Sequence, residues 1–380
     1  MKFYKRAINL IDIASNRSFF LFGPRQTGKT SLLRKLFPES PYYNLLLSDQ
    51  FARLSQRPSL LREELLASST RTTVIIDEVQ KLPLLLDEVH NLIEEHGFRF
   101  ILTGSSSRKL KRGSANLLGG RAWFKQLYPL VTSEIDSFDL VKAINFGTLP
   151  SIYTSEYPDE DLAAYCGLYL SEEIQAEGAV RKIDNFARFL QSAALVNTEL
   201  LNFESVARDA QVPARTIREY FAILEDTLIG TMLQPYSKQQ QRKAFSTSKF
   251  YMFDIGVCNH LAGRKSIAPH TELFGKSFEQ FIFCELNAYL HYANDRRPLT
   301  FYRDYDGNEV DFIIGDDVAI EVKSTAMVTD KHVKALLKFT SETLMKHAIV
   351  VSLDEKPRKM SNIDVLPWTE FLFRLWGGAY

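Results

Sequence analysis

A glycine-rich loop between an apolar strand and a helix constrains the fold of this chain more than any other feature. The loop reads Gly-Pro-Arg-Gln-Thr-Gly-Lys-Thr at residues 23–30, after the apolar run 19–22 and before the helical pattern 31–36. This is the Walker A pattern in the strand–loop–helix context that it requires. Its glycines let backbone N–H groups point at a polyphosphate, and the helix adds its positive end. The alternative is a glycine turn that only caps a helix.

The loop predicts a site for a nucleoside triphosphate, taken here as ATP, together with Mg²⁺. Lys29 would reach the β- and γ-phosphates, and Thr30 would offer its hydroxyl to Mg²⁺. A guanine-nucleotide switch is disfavoured because the sequence has no Asn-Lys-x-Asp motif. The expected nucleotide-binding residues of the loop are Gly23, Pro24, Arg25, Gln26, Thr27, Gly28, Lys29, Thr30 and Ser31.

A second motif follows about fifty residues later, at residues 72–80, with the sequence Thr-Thr-Val-Ile-Ile-Asp-Glu-Val-Gln. An apolar strand that ends in two carboxylates is the Walker B arrangement. Asp77 would hold the Mg²⁺ shell, and Glu78 would polarise the attacking water as a general base. Alone, such a strand end more often carries only solvated acids, but its distance from the Walker A loop favours the catalytic interpretation.

Two further positions are candidates for the same site. The apolar strand 100–103 ends in Thr103, with Ser105 nearby, and these hydroxyls suit a polar sensor of the γ-phosphate. The alternative is an ordinary serine-rich loop. Arg121 follows two glycines and would stabilise phosphate charge, in cis or from a neighbouring subunit, unless it is only a surface arginine.

These motifs resemble a prokaryotic family of AAA-type ATPases that carries a C-terminal domain of unknown function. The resemblance rests on the Walker A loop, on Ile-Ile-Asp-Glu-Val-Gln-Lys, on Leu-Thr-Gly-Ser-Ser, and on Gly-Gly-Arg followed by Tyr-Pro-Leu. It implies a P-loop αβα core in which Gly28, Lys29, Thr30, Asp77 and Glu78 carry the nucleotide chemistry. Thr-Gly-Ser stands where better-known AAA+ proteins have an asparagine sensor, so the family's ring-forming habit does not transfer directly.

Composition bounds the remaining possibilities. The chain has 380 residues, which implies two to four domains. Lys plus Arg equals Asp plus Glu at 46 each, so net charge does not single out a nucleic-acid partner. Its three cysteines form no CxxC pair, which disfavours zinc ribbons and disulfides and fits a cytoplasmic location. No apolar stretch approaches about 18 residues, so we expect no membrane span.

The middle of the chain predicts a helix-turn-helix. Residues 203–213 and 214–224 read as two helices around a tight turn, and the strand-like segments 229–235 and 249–253 would close a hairpin, completing a winged helix. Its basic side chains would contact DNA phosphates, unless the unit is a plain packing module. These basic residues are Arg215, Arg218, Lys238, Arg242, Lys243 and Lys249.

The last third predicts a hairpin between residues 308–314 and 318–323. A three-residue loop sets Ile314 opposite Val318, which places Asp311 opposite Glu321 and Glu309 opposite Lys323 on one face. The other face would bury Val310, Phe312, Ile320 and Val322. An apolar helix upstream carries Glu279 and Glu285.

The Cβ atoms of two directly opposed residues lie about 5 Å apart, and like charges placed in this way are destabilising. A divalent cation, Mg²⁺ or Mn²⁺, would resolve the conflict if Asp311, Glu321 and the Val322 carbonyl held it. Lys323 would then position or deprotonate a water for attack on a phosphate.

This segment resembles the PD-(D/E)xK nuclease fold of restriction endonucleases and junction resolvases. The resemblance implies Glu279, Asp311, Glu321 and Lys323 as the active site, with Gly275 one turn ahead of Glu279. The alternative is an inactive relic that serves DNA binding or assembly.

The sequence therefore predicts an α/β protein of three parts. An AAA-type P-loop ATPase domain spans 1–147, a helical connector with a winged helix spans 148–262, and a nuclease-like domain spans 263–380. The favoured function is an ATPase acting on DNA. The alternative is a regulatory or signalling ATPase whose C-terminal half is a binding and assembly module. A homo-oligomer is compatible with either.

Overall fold

The computed structural model describes residues 3–68, 72–106, 118–169, 183–237 and 247–380. At residues 168 and 169 it describes the backbone only. Its contacts divide the chain into two compact units. The smaller unit comprises Ile8–Tyr128 and Asp226–Leu228, and the larger unit comprises Met1–Ala7, Pro129–Glu225 and Ile229–Tyr380. No described helix is long and apolar enough to cross a membrane.

The smaller unit is a parallel sheet with helices. Its strands are β1 (Ser18–Phe22), β2 (Tyr42–Asn44), β3 (Val74–Asp77), β4 (Phe100–Gly104) and β5 (Ala122–Gln126). Its helices are α1 (Leu10–Asn16), α2 (Lys29–Leu36), α3 (Ser48–Gln56), α4 (Leu60–Ala67) and α5 (Leu85–His96). The strands β1, β3 and β4 are fully buried, as expected of a parallel sheet whose two faces are covered.

The strand order of this sheet determines where its site lies. The order is β2-β3-β4-β1-β5, and the four pairs of neighbouring strands are all parallel. Strand β4 therefore lies between the strand before the glycine loop and the strand that ends in Asp77. Because parallel strands end at the same edge, the glycine loop, Asp77 and Thr103 meet there, as is usual for ligand sites in open α/β sheets.

The larger unit begins with helices. They are α6 (Leu140–Phe146), α7 (Pro150–Tyr153), α8 (Pro158–Ala164), α9 (Ile183–Leu195), α10 (Phe203–Ala210) and α11 (Ala214–Asp226). After the hairpin strands β6 (Gly230–Pro235) and β7 (Lys249–Met252) come α12 (Ile255–Leu261) and α13 (Glu272–Tyr292). The helices α10 and α11 flank Gln211, whose φ of 54° makes the turn.

The C-terminal part completes a mixed sheet. It adds β8 (Leu299–Arg303), β9 (Glu309–Ile314), β10 (Val318–Lys323), α14 (Asp330–Glu342), β11 (His347–Ser352), β12 (Arg358–Met360), β13 (Ile363–Pro367) and α15 (Trp368–Trp376). The eight strands lie in the order β12-β13-β11-β10-β9-β8-β6-β7. The hairpin β6–β7 thus forms one edge of the C-terminal sheet, because β6 pairs with β8.

The hairpin predicted in the last third is confirmed in its register for the three residue pairs nearest the turn, but not in all its packing. Ile314 lies opposite Val318 and Phe312 opposite Ile320. A register shift between β8 and β9 inserts an extra residue in β9, since Thr300 faces Ile313 while Tyr302 faces Val310. Val310 accordingly packs in a different core cluster from Phe312, so the expectation that these two share a face is wrong.

Candidate functional site

The glycine loop of the smaller unit is shaped by two different demands on its glycines. Gly28 has a φ of 90°, a left-handed conformation that side chains disfavour, and its surroundings would leave a Cβ free space. Gly23 instead lies against the chain that follows β5, where a Cβ would come within 2.3 Å of the Leu127 carbonyl oxygen. Thr27 is buried, and its hydroxyl donates to the Pro24 carbonyl at 2.9 Å, which holds the loop curled.

Lys29 begins helix α2 and lies inside the curl of the loop. Its ammonium donates to the carbonyl oxygens of Gly23 at 2.6 Å and Pro24 at 3.0 Å, and the residue is 7% exposed. Arg25 and Gln26 are half-buried in the loop, and Ser31 is exposed on the first turn of α2. The predicted loop residues thus form one continuous strand–loop–helix turn.

Asp77 is the point on which the other polar groups converge. The Thr30 hydroxyl donates to Asp77 Oδ2 at 2.8 Å, and the Tyr42 hydroxyl donates to the same oxygen. The Thr103 hydroxyl donates to Asp77 Oδ1, and both residues are buried. Burial and the bond to Asp77 raise the pKa of Tyr42, which keeps its hydroxyl a donor. The loop, β3 and β4 therefore bring together Thr30, Asp77 and Thr103, as the sequence predicts.

Glu78 follows Asp77 in a left-handed conformation, with a φ of 62°. Its backbone N–H donates to Thr103 Oγ1 at 3.3 Å, and its carboxylate accepts a bond of 2.5 Å from Gln80 Nε2. The same amide of Gln80 reaches Ser105 Oγ at 3.3 Å. A Cβ on Gly104 would come within 2.3 Å of Gln80 Oε1, so the glycine makes room for this amide.

Arg121 lies at the other end of the sheet. It precedes β5, whose first residue Ala122 faces Ser18 at the start of β1, whereas the glycine loop follows the end of β1. Its guanidinium pairs with Glu94 on α5. Within one chain, the structure does not bring Arg121 to the phosphate loop, which corrects the expected cis contact. A contribution from a neighbouring subunit stays a prediction.

The second candidate site lies in the larger unit, where an ammonium stands among carboxylates. Lys249 Nζ on β7 lies 3.0 Å from Glu279 Oε1 on α13 and 2.5 Å from Glu309 Oε1 on β9. Asp311 Oδ1 is 3.8 Å away. Only 3% of Lys249 is exposed, which corrects its expected role as a surface contact for DNA phosphates.

Asp311 and Glu321 are both buried, and each already has a partner. Asp311 Oδ2 accepts from the Val322 N–H at 2.8 Å, and Glu321 Oε1 pairs with Lys323 at 2.5 Å. Burial, then the charge of Asp311, raises the pKa of Glu321 and favours its neutral form. Among the described residues, Glu321 Oε2 is buried without a hydrogen-bond partner.

Two other acids of this region have distinct surroundings. Glu279 also accepts from the Tyr251 hydroxyl at 2.6 Å, and burial raises its pKa. Glu285, further along α13, is bonded instead to Thr132 and Trp376 and does not belong to the cluster. The predicted partner of Glu309 across the hairpin was Lys323, but its ion pairs run to Arg303 and Lys249.

A divalent cation fits this cluster poorly. In the described part of the chain, no group of three or more His, Cys, Asp or Glu side chains is arranged to hold a metal ion. Of the two predicted metal ligands, Asp311 lies 3.8 Å from the Lys249 ammonium, and Glu321 already gives one oxygen to Lys323. The unpaired Glu321 Oε2 is the single observation that favours a metal ligand here.

The helices α10 and α11, where the sequence predicts a helix-turn-helix, expose two arginines beside acids. Arg215 lies 3.7 Å from Glu219, and Arg218 lies 3.6 Å from Glu204 and over the ring of Phe203. Both arginine side chains are more than half exposed. Lys238, Arg242 and Lys243, also expected to contact DNA, lie outside the described residues.

Sequence reasoning missed Tyr42, Gln80 and the placement of Lys249. Gln80 stands inside the Walker B segment, two residues after Glu78, so its position was a usable signal. Tyr42 lies on a short edge strand with no motif of its own. The pairing of β6 with β8, which brings Lys249 to the C-terminal sheet, has no local signal in the sequence.

Models of three protein families match successive parts of the chain. Residues 15–136 match the AAA domain, residues 137–268 match a domain of unknown function (DUF8612), and residues 274–371 match another (DUF4143).

Relatives from two mycobacteria and from Haemophilus influenzae are described as uncharacterized proteins. Uncharacterized proteins of Mycobacterium tuberculosis and Mycobacterium bovis are each 27% identical over 319 residues, covering 80% of this chain and 70% of theirs. An uncharacterized protein of Haemophilus influenzae is 22% identical, covering 72% of this chain and 73% of its own.

One solved structure is also similar, a Signal Transduction ATPase with Numerous Domains protein with a tetratricopeptide repeat sensor from Pyrococcus horikoshii. It is 15% identical with a TM-score of 0.24, too low to support an inference. The match covers 77% of this chain but about half, 48%, of that one. The glycine loop, the Asp77 site and the family match agree: this chain carries an AAA-type P-loop ATPase domain near its N-terminus and a DUF4143 domain near its C-terminus.

Proposed function

We propose that this chain binds ATP with Mg²⁺ and hydrolyses it at the phosphate loop of the smaller unit. The observation that carries the proposal is the convergence of Thr30 and Thr103 on the two oxygens of Asp77, at the edge of the sheet where the loop begins. A buried aspartate with these neighbours fits the second shell of Mg²⁺, with the Thr30 hydroxyl as a direct ligand.

Each residue has a separate task in this proposal. Lys29 would leave the carbonyls of Gly23 and Pro24 and bind the β- and γ-phosphate oxygens. Thr30 and Asp77 would hold the cation, which when bound neutralises charge on the phosphates. Glu78 would take a proton from the attacking water. Thr103 would keep the Asp77 carboxylate in one orientation.

Nucleotide binding by a matched pair of variants tests the proposal. Lys29→Ala should lose ATP binding, because it removes the loop ammonium. Lys35→Ala, which removes an exposed lysine from the same helix α2, should bind like the wild type. Titration of the full chain with a fluorescent ATP analogue measures both. Equal affinity of Lys29→Ala and wild type would overturn the proposal.

For the C-terminal part, we propose a non-catalytic binding and assembly module that the ATPase regulates. The observation in its favour is the set of ion pairs that already occupies the carboxylates of the cluster. The alternative is metal-dependent cleavage of DNA by Glu279, Asp311, Glu321 and Lys323, with DNA held by the helix-turn-helix and with Mg²⁺ or Mn²⁺ at Asp311 and Glu321. The unpaired oxygen of Glu321 favours this alternative.

A cleavage screen separates the two interpretations. The purified chain is incubated with duplex, single-stranded and branched DNA, in Mg²⁺ and in Mn²⁺, with and without ATP. The module interpretation predicts that every substrate stays intact. Cleavage that is lost in Asp311→Ala and in Lys323→Ala, while ATP hydrolysis survives, would establish the nuclease.

A further inference from the structure

Lys249 holds a position that is unusual for a lysine. It is almost completely buried at the edge of the sheet, and its ammonium contacts carboxylates from two other elements, Glu279 on α13 and Glu309 on β9. It also lies 5.7 Å from the centre of the Phe301 ring. A buried ammonium is costly unless it is paired, so these carboxylates and Lys249 depend on each other.

Cationic side chains already pair with the carboxylates of this cluster. Four carboxylates are present, and three cationic side chains pair with them. The carboxylates are Glu279, Glu309, Asp311 and Glu321, and the cations are Lys249, Arg303 and Lys323.

We propose that the Lys249 ammonium is the resident cation of this cluster and that it excludes a divalent cation from it. A divalent cation held by Asp311 and Glu321 would share the Asp311 carboxylate with the Lys249 ammonium, which lies 3.8 Å from Asp311 Oδ1, and two cations this close repel each other. The inference rests on the non-catalytic role proposed for the C-terminal part. It gives a physical reason why a hairpin with the sequence pattern of a nuclease site would not cleave DNA.

The contacts of Lys249 also hold the β6–β7 hairpin in place. Residues of β7 reach Glu279 twice, through Lys249 and through the Tyr251 hydroxyl. A divalent cation would bind carboxylates to one another, whereas Lys249 is part of β7, so its ion pairs also link the β6–β7 hairpin to the cluster. The hairpin is thereby fixed to α13 and β9 in one assembly.

Binding of Mn²⁺ to the full chain, without nucleotide, tests the inference. All proteins carry Thr30→Ala, which removes the cation ligand of the ATP site. The wild-type cluster should bind no Mn²⁺, by water-proton relaxation and by thermal shift. Lys249→Met, similar in length but uncharged, should gain one Mn²⁺ site that the wild type lacks. Lys276→Met removes a more exposed lysine from α13 and is the matched control, which should gain none.

The outcomes are separable. A Mn²⁺ site in the wild-type cluster that disappears in Glu321→Gln would overturn the inference, and this comparison needs no change at Lys249. No gain in a folded Lys249→Met would overturn it as well. Lys249→Arg, which keeps the charge, should behave like the wild type. Mn²⁺ binding to the wild-type cluster without DNA cleavage would contradict this inference alone. DNA cleavage by the wild type would contradict the non-catalytic role proposed for the C-terminal part.

Discussion

Gln80 Nε2 donates a 2.5 Å hydrogen bond to Glu78 Oε2, so the proposed general base is held by a neighbour in its own motif. Glu78 also has a left-handed backbone, a conformation that costs a non-glycine residue about 1 kcal/mol or more. In the described part of the chain, Gln80 Oε1 is buried without a hydrogen-bond partner. Backbone strain, here at Glu78, and a buried unpaired polar atom, here on Gln80, are features that cluster at functional sites.

Gln80→Leu should lower kcat for ATP hydrolysis about tenfold and leave KM for ATP nearly unchanged, because the amide orients Glu78 and lies beyond the phosphate loop. Steady-state phosphate release measures both constants. Ser105→Ala removes the other partner of the amide and should have a smaller effect. An unchanged kcat in Gln80→Leu would show that Glu78 does not need this donor.

Tyr42→Phe should raise the Mg²⁺ concentration for half-maximal ATPase activity by about tenfold. Groups that orient a metal-site carboxylate typically contribute this much to metal affinity, and the Tyr42 hydroxyl donates to Asp77 Oδ2. The neighbouring Tyr43 donates to Glu64 instead, at 3.2 Å, so Tyr43→Phe is the matched control. Identical Mg²⁺ titrations of the two variants would refute a role for Tyr42.

Gly28→Ala and Gly97→Ala should each destabilise the chain by about 1 kcal/mol, because both glycines have left-handed φ values with space for a Cβ. ATP affinity should fall only in Gly28→Ala, since Gly97 ends helix α5 away from the loop. Chemical denaturation gives the free energy of unfolding, and nucleotide titration gives the affinity. Equal loss of affinity in both would point to general destabilisation instead.

Glu285 gives the larger unit a pH-dependent stability. Burial raises its pKa to about 7 from the ordinary 4.5, despite bonds from Thr132 and Trp376. A raised carboxyl pKa stabilises the fold fully below pH 4.5, and this contribution is lost as pH rises through 7. The free energy of unfolding of wild type minus that of Glu285→Gln should therefore fall by up to about 3 kcal/mol between pH 5 and pH 8.

Denaturant titrations across that pH range measure the difference. Glu272→Gln changes a well-exposed acid in the first turn of the same helix and should show no comparable trend. A flat difference for Glu285→Gln would mean that the carboxyl ionises as easily in the fold as in the unfolded chain.

The meeting of the glycine loop and Asp77 at one sheet edge could be predicted because its information is local. The loop at residues 23–30 and the strand that ends in Asp77 each carry their own pattern, and parallel strands bring their ends together without further assumptions. The hairpin around Gly315 was predictable for the same reason, since the loop length sets the register of Ile314 and Val318.

The rest depends on contacts that are distant in sequence. Lys249 reaches Glu309 because β6 pairs with β8, and neither the pairing nor the bulge in β9 leaves a short pattern. Arg121 looked like a phosphate contact because of its glycines, but its strand begins at the opposite edge of the sheet. A hairpin pattern predicts the spacing of acids but not which side chains neutralise them.

Mg²⁺-dependent phosphate release from ATP should be compared between wild type and Glu78→Gln. It tests whether this chain hydrolyses ATP with Glu78 as the general base. The exposed acid changed in Glu95→Gln serves as the control. We expect turnover by wild type and by Glu95→Gln, and bound ATP without turnover in Glu78→Gln. Turnover at the wild-type rate in Glu78→Gln, or none in the wild type with saturating ATP and Mg²⁺, would contradict this expectation.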